Sequence, residues 1–330
     1  MITRCAGRPG EKILSVIQVL ALTAVFLCTR VCAADGALAF ITNQGANSVS
    51  VIALDDNRVV KTIAVGDDPA GVAIDRRRGL AFISSAGSQE LISIDLDSLE
   101  ISSRVKAGSG PLGIVADMRT GRVYVADWYD NLVRAYDAIT LRLRAQYKTG
   151  KAPSGIALTP DGRHLIVANR DEDSVWVINL TSGLTVAKID VGEAPFGISV
   201  SRDSQRAFVA NVKSNDVTVI DLIGMQPTTA IAAGEAPYAL VHETERDYLF
   251  VTNQQSGSVS VLDLEARHEI RRIEVGEYPE GIDTHYVSDR IYVANWFSNT
   301  VTVIDRQSLA VIEEIDVGDG ARAFGNFIAH

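Results

Sequence analysis

One segment recurs every 42 residues, from residue 39 to residue 295, without a single insertion. Ala39-Phe-Ile-Thr-Asn43 returns as Ala81-Phe-Ile-Ser-Ser85, Val123-Tyr-Val-Ala-Asp127 and Leu165-Ile-Val-Ala-Asn169. It returns again as Ala207-Phe-Val-Ala-Asn211, Leu249-Phe-Val-Thr-Asn253 and Ile291-Tyr-Val-Ala-Asn295. A second motif keeps the same period, starting at Gly66, Gly108, Gly150, Gly192, Gly234, Gly276 and Gly318. Proline follows three residues later in six copies, and Ala321 stands there in the last. A fixed period of this length marks a repeat architecture in which each copy is one supersecondary unit.

Within a copy the pattern is all strand. In the fourth, Gly155-Ile-Ala-Leu158 is short and apolar, and Thr159-Pro-Asp-Gly162 is a turn by composition. His164 to Ala168 is β-branched and apolar, Asn169 to Asp173 is a polar loop, and Ser174 to Asn179 alternates with period two. Thr181-Ser-Gly183 turns again before a fourth strand from Leu184 to Val191. Four short antiparallel strands in about 40–45 residues make the blade of a β-propeller. The expected fold is therefore all-β, a seven-bladed β-propeller.

The Tyr/Phe-Val-Ala/Thr-Asn signature, the following Ser-x-Thr-Val-x-Val-Ile-Asp and the later Val-Gly-x-x-Pro-x-Gly resemble the repeats of the YVTN-type β-propeller proteins. The resemblance covers essentially all of the chain after the leader. It implies a bacterial protein that works at the cell surface or in the periplasm. Relatives of that family include propeller subunits of amine dehydrogenases and propeller lactonases, so the resemblance leaves function open.

The two ends of the repeat array fit together. The first strand after the leader, Leu38 to Thr42, is the second strand of a unit. The last segment, Ala323 to His330, corresponds to a first strand. It should complete the blade begun at the N-terminus and leave no open seam.

The first 34 residues differ from the rest. Arg4, Arg8 and Lys12 precede an almost wholly apolar run from Ile13 to Cys28, and small residues surround Ala33 and Ala34. This is the layout of a Sec-type signal peptide, cleaved near Ala33. The alternative is an uncleaved anchor, for which the run is short against the roughly 20 residues of a membrane span. The chain is thus divided into a signal peptide, 1–34, and a propeller, 35–330, that is periplasmic or secreted and has no membrane span of its own. All three cysteines lie in the leader, so thiol chemistry and cysteine metal sites are excluded beyond it. Of 31 basic and 41 acidic residues, the leader holds four and one, leaving 27 and 40 and a net charge of −13. Such a body repels nucleic acid.

Positions that vary between copies point to a site, because blade stability does not require the variation. After the proline stand Ala70, Leu112, Ser154, Phe196, Tyr238, Glu280 and Arg322, expected to ring the mouth of the central channel. After the loop glycine stand Asp67, Ser109, Lys151, Glu193, Glu235, Glu277 and Asp319, either an electronegative rim or a solvated turn. After the Asn position, Trp128-Tyr129 and Trp296-Phe297 are paired aromatics in polar loops, with Arg170 at the same place in the fourth copy. They read as binding anchors or as rings folded onto neighbouring blades. Trp176 lies mid-strand and reads as core. The candidate binding set is Trp128, Tyr129, Arg170, Phe196, Tyr238, Glu280, Trp296, Phe297 and Arg322.

Other motifs carry little chemistry. Gly108-Ser-Gly-Pro-Leu-Gly113 spells Gly-x-Gly-x-x-Gly but precedes a strand, whereas a dinucleotide site needs a helix there. Asn169 to Asp173 starts like a calcium loop but lacks the sixth-place glycine and the closing acid. His242 and His285 occupy adjoining inner-strand positions and could meet beside Glu243. No catalytic constellation, metal site or cofactor is assigned. The leading expectation is a binding or scaffold protein that offers its loop-rich face to a ligand or protein partner. The alternative is a propeller enzyme or accessory subunit, lactonase-, lyase- or dehydrogenase-like, acting at the channel mouth.

Overall fold

Each copy of the repeat forms one antiparallel sheet, and the seven sheets are the blades of a propeller. The computed structural model describes residues 36–329, so the leader 1–34, read from the sequence as a signal peptide, lies outside the described residues. In blade 4 the strands are Pro153–Leu158, His164–Asn169, Ser174–Asn179 and Leu184–Asp190. The first is the inner strand, and it packs on the inner strands of blades 3 and 5. The last is mostly exposed.

The repeat signature has a packing cause. Its second residue, Phe40, Phe82, Tyr124, Ile166, Phe208, Phe250 or Tyr292, is at most 1% exposed in every blade. Burying such a side chain contributes about 1.5–3 kcal/mol. The terminal Asn and the loop glycine prove to be two halves of one contact. Asn169 Oδ1 accepts the Gly150 N–H at 2.9 Å and Asn253 Oδ1 accepts that of Gly234 at 3.0 Å. The amide end of Asn253 then donates to Ser258 and Ser260, tying the second strand to the third. A Cβ on Gly234 would lie 2.6 Å from Asn253 Cγ, which is why this position is glycine. Among these glycines Gly108 has a positive φ, and in several other copies the left-handed conformation falls on the residue before the proline, as at Ala152, Ala194, Ala236 and Tyr278.

Blades approach closely along the inner strands. A Cβ on Gly113 would lie 2.0 Å from the Ser154 carbonyl oxygen of the next blade. Gly113→Ala should therefore wedge blades 3 and 4 apart and cost about 1–3 kcal/mol. Urea denaturation measures this, and an unchanged midpoint would contradict the close approach.

The closing segment behaves as expected in one respect and differs in another. Ile328–Ala329 pairs antiparallel with Ala39 and Leu38, and the Phe40 N–H donates to the Phe327 carbonyl at 2.9 Å, completing blade 1. Ala321 bridges Asn43 as the loop prolines bridge their own Asn partners. Between these anchors the chain leaves its blade. Phe324–Gly325 pairs in parallel with Gly71 and Val72 of blade 2, making that sheet five-stranded. The C-terminal segment thus stitches blade 1 and also laps onto blade 2.

Candidate functional site

The loop before the inner strand and the loop after the second strand share one face in every blade. They are joined by a backbone bond, as in Trp128 N–H to Gly110 O and Trp296 N–H to Tyr278 O. Just after the proline the inner strand is irregular. Pairing skips Phe196 and Gly197 in blade 5, Tyr238 and Ala239 in blade 6, and Glu280 in blade 7. A bulge of this kind frees a side chain from strict alternation and re-aims it.

These side chains do not ring an open mouth; they plug it. Phe196 and Tyr238 stack with ring centroids 4.0 Å apart, and Phe324 meets both edge-on at 5.0 and 5.7 Å. Ala70 and Leu112 pack into the same cluster. The plug is the floor of a cup of about 790 Å³ on the loop-rich face. Trp128 rises above Phe196 at 6.3 Å, and Trp296 stands beside Tyr278 at 5.6 Å. The Arg170 guanidinium lies over the Trp128 ring, 5.6 Å from its centroid.

One side of the floor is a buried polar network. Arg322 Nε sits 2.6 Å from Glu280 Oε2, in contact but without hydrogen-bond alignment. Its other nitrogens donate to Tyr238 Oη at 2.6 Å and Gln44 Oε1 at 3.4 Å. Gln254 donates to Glu280 Oε1 at 2.8 Å. Burial pushes the Glu280 carboxyl up, partly offset by Arg322 and Gln254. Burial works against the Arg322 charge, yet Glu280 and Tyr238 more than compensate and raise its pKa. Burial likewise pushes the Tyr238 phenol up. The charges of Glu280 and Arg322 offset each other, Arg322 also donates to Tyr238, and Glu280 Oε2 and Arg322 Nε stay in contact without a hydrogen bond of their own.

The cup gathers seven of the nine sequence candidates: Trp128, Arg170, Phe196, Tyr238, Glu280, Trp296 and Arg322. Tyr129 and Phe297 do not line it; they stand outside, 72% and 58% exposed, with Phe297 stacked on Trp296. Tyr278 lines the cup and was missed. Its signal was present, since the equivalent residues are Asp68, Gly110, Ala152, Ala194, Ala236 and Gly320, none aromatic. The acidic positions Asp67, Glu193, Glu235, Glu277 and Asp319 are exposed on the surrounding loops and none lines the cup.

Three other expectations are settled by geometry. Trp176 is not core: it is half-buried beneath Lys188, whose ammonium lies 3.7 Å from the ring centroid. His242 turns to Asp247, 2.7 Å away, and packs on Phe208. His285 contacts Ser288 at 2.7 Å, and burial together with Arg290 holds it below the ordinary imidazole pKa. Asn169–Asp173 contains a single turn of 3₁₀ helix, Arg170–Glu172, and Asp173 accepts the Ala194 N–H. Among the described residues, no group of three or more His, Cys, Asp or Glu side chains is placed to hold a metal ion.

Fold and cup together define a seven-bladed β-propeller whose N- and C-terminal strands share a blade. The chain belongs to the YNCE-like β-propeller family, whose model matches residues 38–244. No curated protein matches its sequence. Among solved structures it is similar to a functionally unknown protein from Desulfotomaculum acetoxidans DSM 771, with a TM-score of 0.75, 13% identity, and coverage of 87% of this chain and 99% of that one. It is also similar to Kuenenia stuttgartiensis hydrazine synthase, with a TM-score of 0.69, 17% identity, and coverage of 76% and 87%. A third is the dihydro-heme d1 dehydrogenase NirN in complex with DHE, with a TM-score of 0.65, 14% identity, and coverage of 89% and 74%. At these identities the likeness is one of fold alone.

Proposed function

We propose that this is an exported binding protein that holds a ligand or a partner's side chain in the aromatic cup of its loop-rich face. The supporting observation is the convergence of Trp128, Trp296, Tyr278, Phe196 and Tyr238 on one cavity of about 790 Å³. That volume lies in the range of small-molecule sites, about 300–1,000 Å³. Export rests on the leader, with its basic start, apolar run and small residues near Ala33. The recurring signature favours a place among the YVTN-type repeats within the broader propeller class.

A small-molecule screen by thermal shift tests the reading. True ligands should bind Trp128→Ala and Trp296→Ala about thirtyfold more weakly, the effect of losing a hot-spot aromatic worth about 2 kcal/mol. Ligands that bind both variants as well as the parent would place the site elsewhere. The second reading, an enzyme or enzyme accessory, draws on two fold relatives, a dihydro-heme d1 dehydrogenase and a hydrazine synthase. It asks for a reactive group in the cup, and the mutual pairing of Glu280, Arg322 and Tyr238 favours binding instead.

A further inference from the structure

We propose that the cup selects a small flat anion, an aromatic ring system bearing one carboxylate, sulfonate or phosphate, and rejects longer polyanions; this rests on the cup being the ligand site. Its lining carries three cations, Arg170, Lys213 and Arg322, and one acid, Glu280. Glu280 and Arg322 neutralise each other in the floor, 2.6 Å apart. Arg170 and Lys213 remain on the wall, on equivalent loops of adjacent blades. Asp171 shares Arg170 at 3.1 Å from outside the lining. The cup therefore has a net positive wall in a chain that is net negative beyond its leader. A local field of this sign selects anions even where the whole body repels them.

The aromatic surfaces set the shape of the ligand. Trp128 stands over the floor of Phe196 and Tyr238, and Arg170 already lies against the Trp128 ring. A flat ring seated on these faces brings its anionic substituent toward Arg170 and Lys213. Length is limited by the rim. Asp67, Glu193, Glu235, Glu277 and Asp319 are exposed around the cup. Lys151 is the one cation at that ring position, so a polyanion leaving the cup would pass mostly carboxylates and be repelled. A single anion contained in the cup does not.

Three probes sharing one ring test this on the full chain at neutral pH and low salt: 1-naphthoate, 1-naphthylmethanol and 1-naphthylmethylammonium, followed by calorimetry and tryptophan fluorescence. Naphthoate should bind about tenfold or more tighter than the ammonium compound, the scale expected of paired surface charges in a partly desolvated site. The double variant Arg170→Gln/Lys213→Gln should abolish that preference and leave naphthylmethanol unchanged. Trp128→Ala should weaken all three. An ammonium preference, or a naphthoate preference that survives the double variant, overturns the charge selection while the Trp128 dependence keeps the cup as a site. Absence of binding by all three, or binding indifferent to Trp128→Ala, overturns the cup reading itself. An oligothymidylate strand that binds more tightly than naphthoate, in a Trp128-dependent manner, overturns the rejection of polyanions.

Discussion

A chain ending at Ala323 should lose most of its stability. Phe324, Phe327 and Ile328 are all buried, at 6%, 0% and 4% exposure. Removing a buried phenylalanine side chain alone costs about 3–5 kcal/mol. Two of them approach the whole stability of an ordinary domain, about 5–15 kcal/mol. The deletion also strips part of the inner edge of blade 1, leaving Leu38, Ala39 and Phe40 without their partners on that side, and removes the parallel contact with Gly71 and Val72. It opens the plug as well, because Phe324 is the edge-on ring against Phe196 and Tyr238. Thermal or denaturant unfolding of the truncated protein measures the loss. A melting curve like that of the parent would sink the closure account.

The second large effect concerns Asp283, on the inner strand of blade 7. Its Oδ2 accepts the N–H groups of Phe327 and Ile328 at 2.8 and 3.0 Å, and its Oδ1 accepts that of Thr284 at 2.8 Å. One buried carboxylate therefore pins the closing segment. Burial pushes its pKa up to about 6, against the pull of those three N–H groups in the opposite direction. A carboxyl whose pKa is higher in the folded than in the unfolded chain contributes most below its unfolded value, and that contribution is lost as pH rises through the folded value. Between about pH 4 and pH 7 this loss amounts to roughly 2 kcal/mol. Asp283→Asn keeps an acceptor oxygen and does not titrate, so its stability relative to the parent should rise by that amount across the interval. Asp283→Ala should be destabilised at every pH, since each stranded N–H costs about 1–3 kcal/mol. Urea denaturation of the three proteins at both pH values gives the comparison. Parallel pH profiles for parent and Asp283→Asn would refute the assignment.

Much of the lining of the candidate cup is legible in the sequence. Comparing equivalent positions in the seven copies singled out Trp128, Arg170, Phe196, Tyr238, Glu280, Trp296 and Arg322, and they meet in one cavity. Each position in an unbroken repeat sits at the same height and radius in every blade, so equivalent residues meet around the axis. The depth at which a side chain points is not given by that equivalence. Tyr129 follows Trp128 directly, yet one ring lines the cup and the other points away, because neighbouring loop residues face different directions. The acidic positions were placed on the correct face but belong to its outer loops, not to the lining. Trp176 reads as core because it lies mid-strand, although its side chain lies on the partly open face beneath Lys188.

The seven units in unbroken register, the four strands of each and the sharing of a blade between chain ends all follow from the sequence alone. Strand alternation and turn chemistry are local, and a strict period repeats them without ambiguity. The course of the last segment was decided only in the tertiary structure. Phe324 and Gly325 leave their expected strand for blade 2, since the plug offers Phe324 two aromatic neighbours and the Asp283 carboxylate draws the following backbone inward. The closed mouth, the positive wall and the pairing of Glu280 with Arg322 have the same origin. They arise from side chains distant in sequence, up to 278 residues apart in the chain as with Gln44 and Arg322, whose contact depends on the closure of the assembled ring and has no local signature.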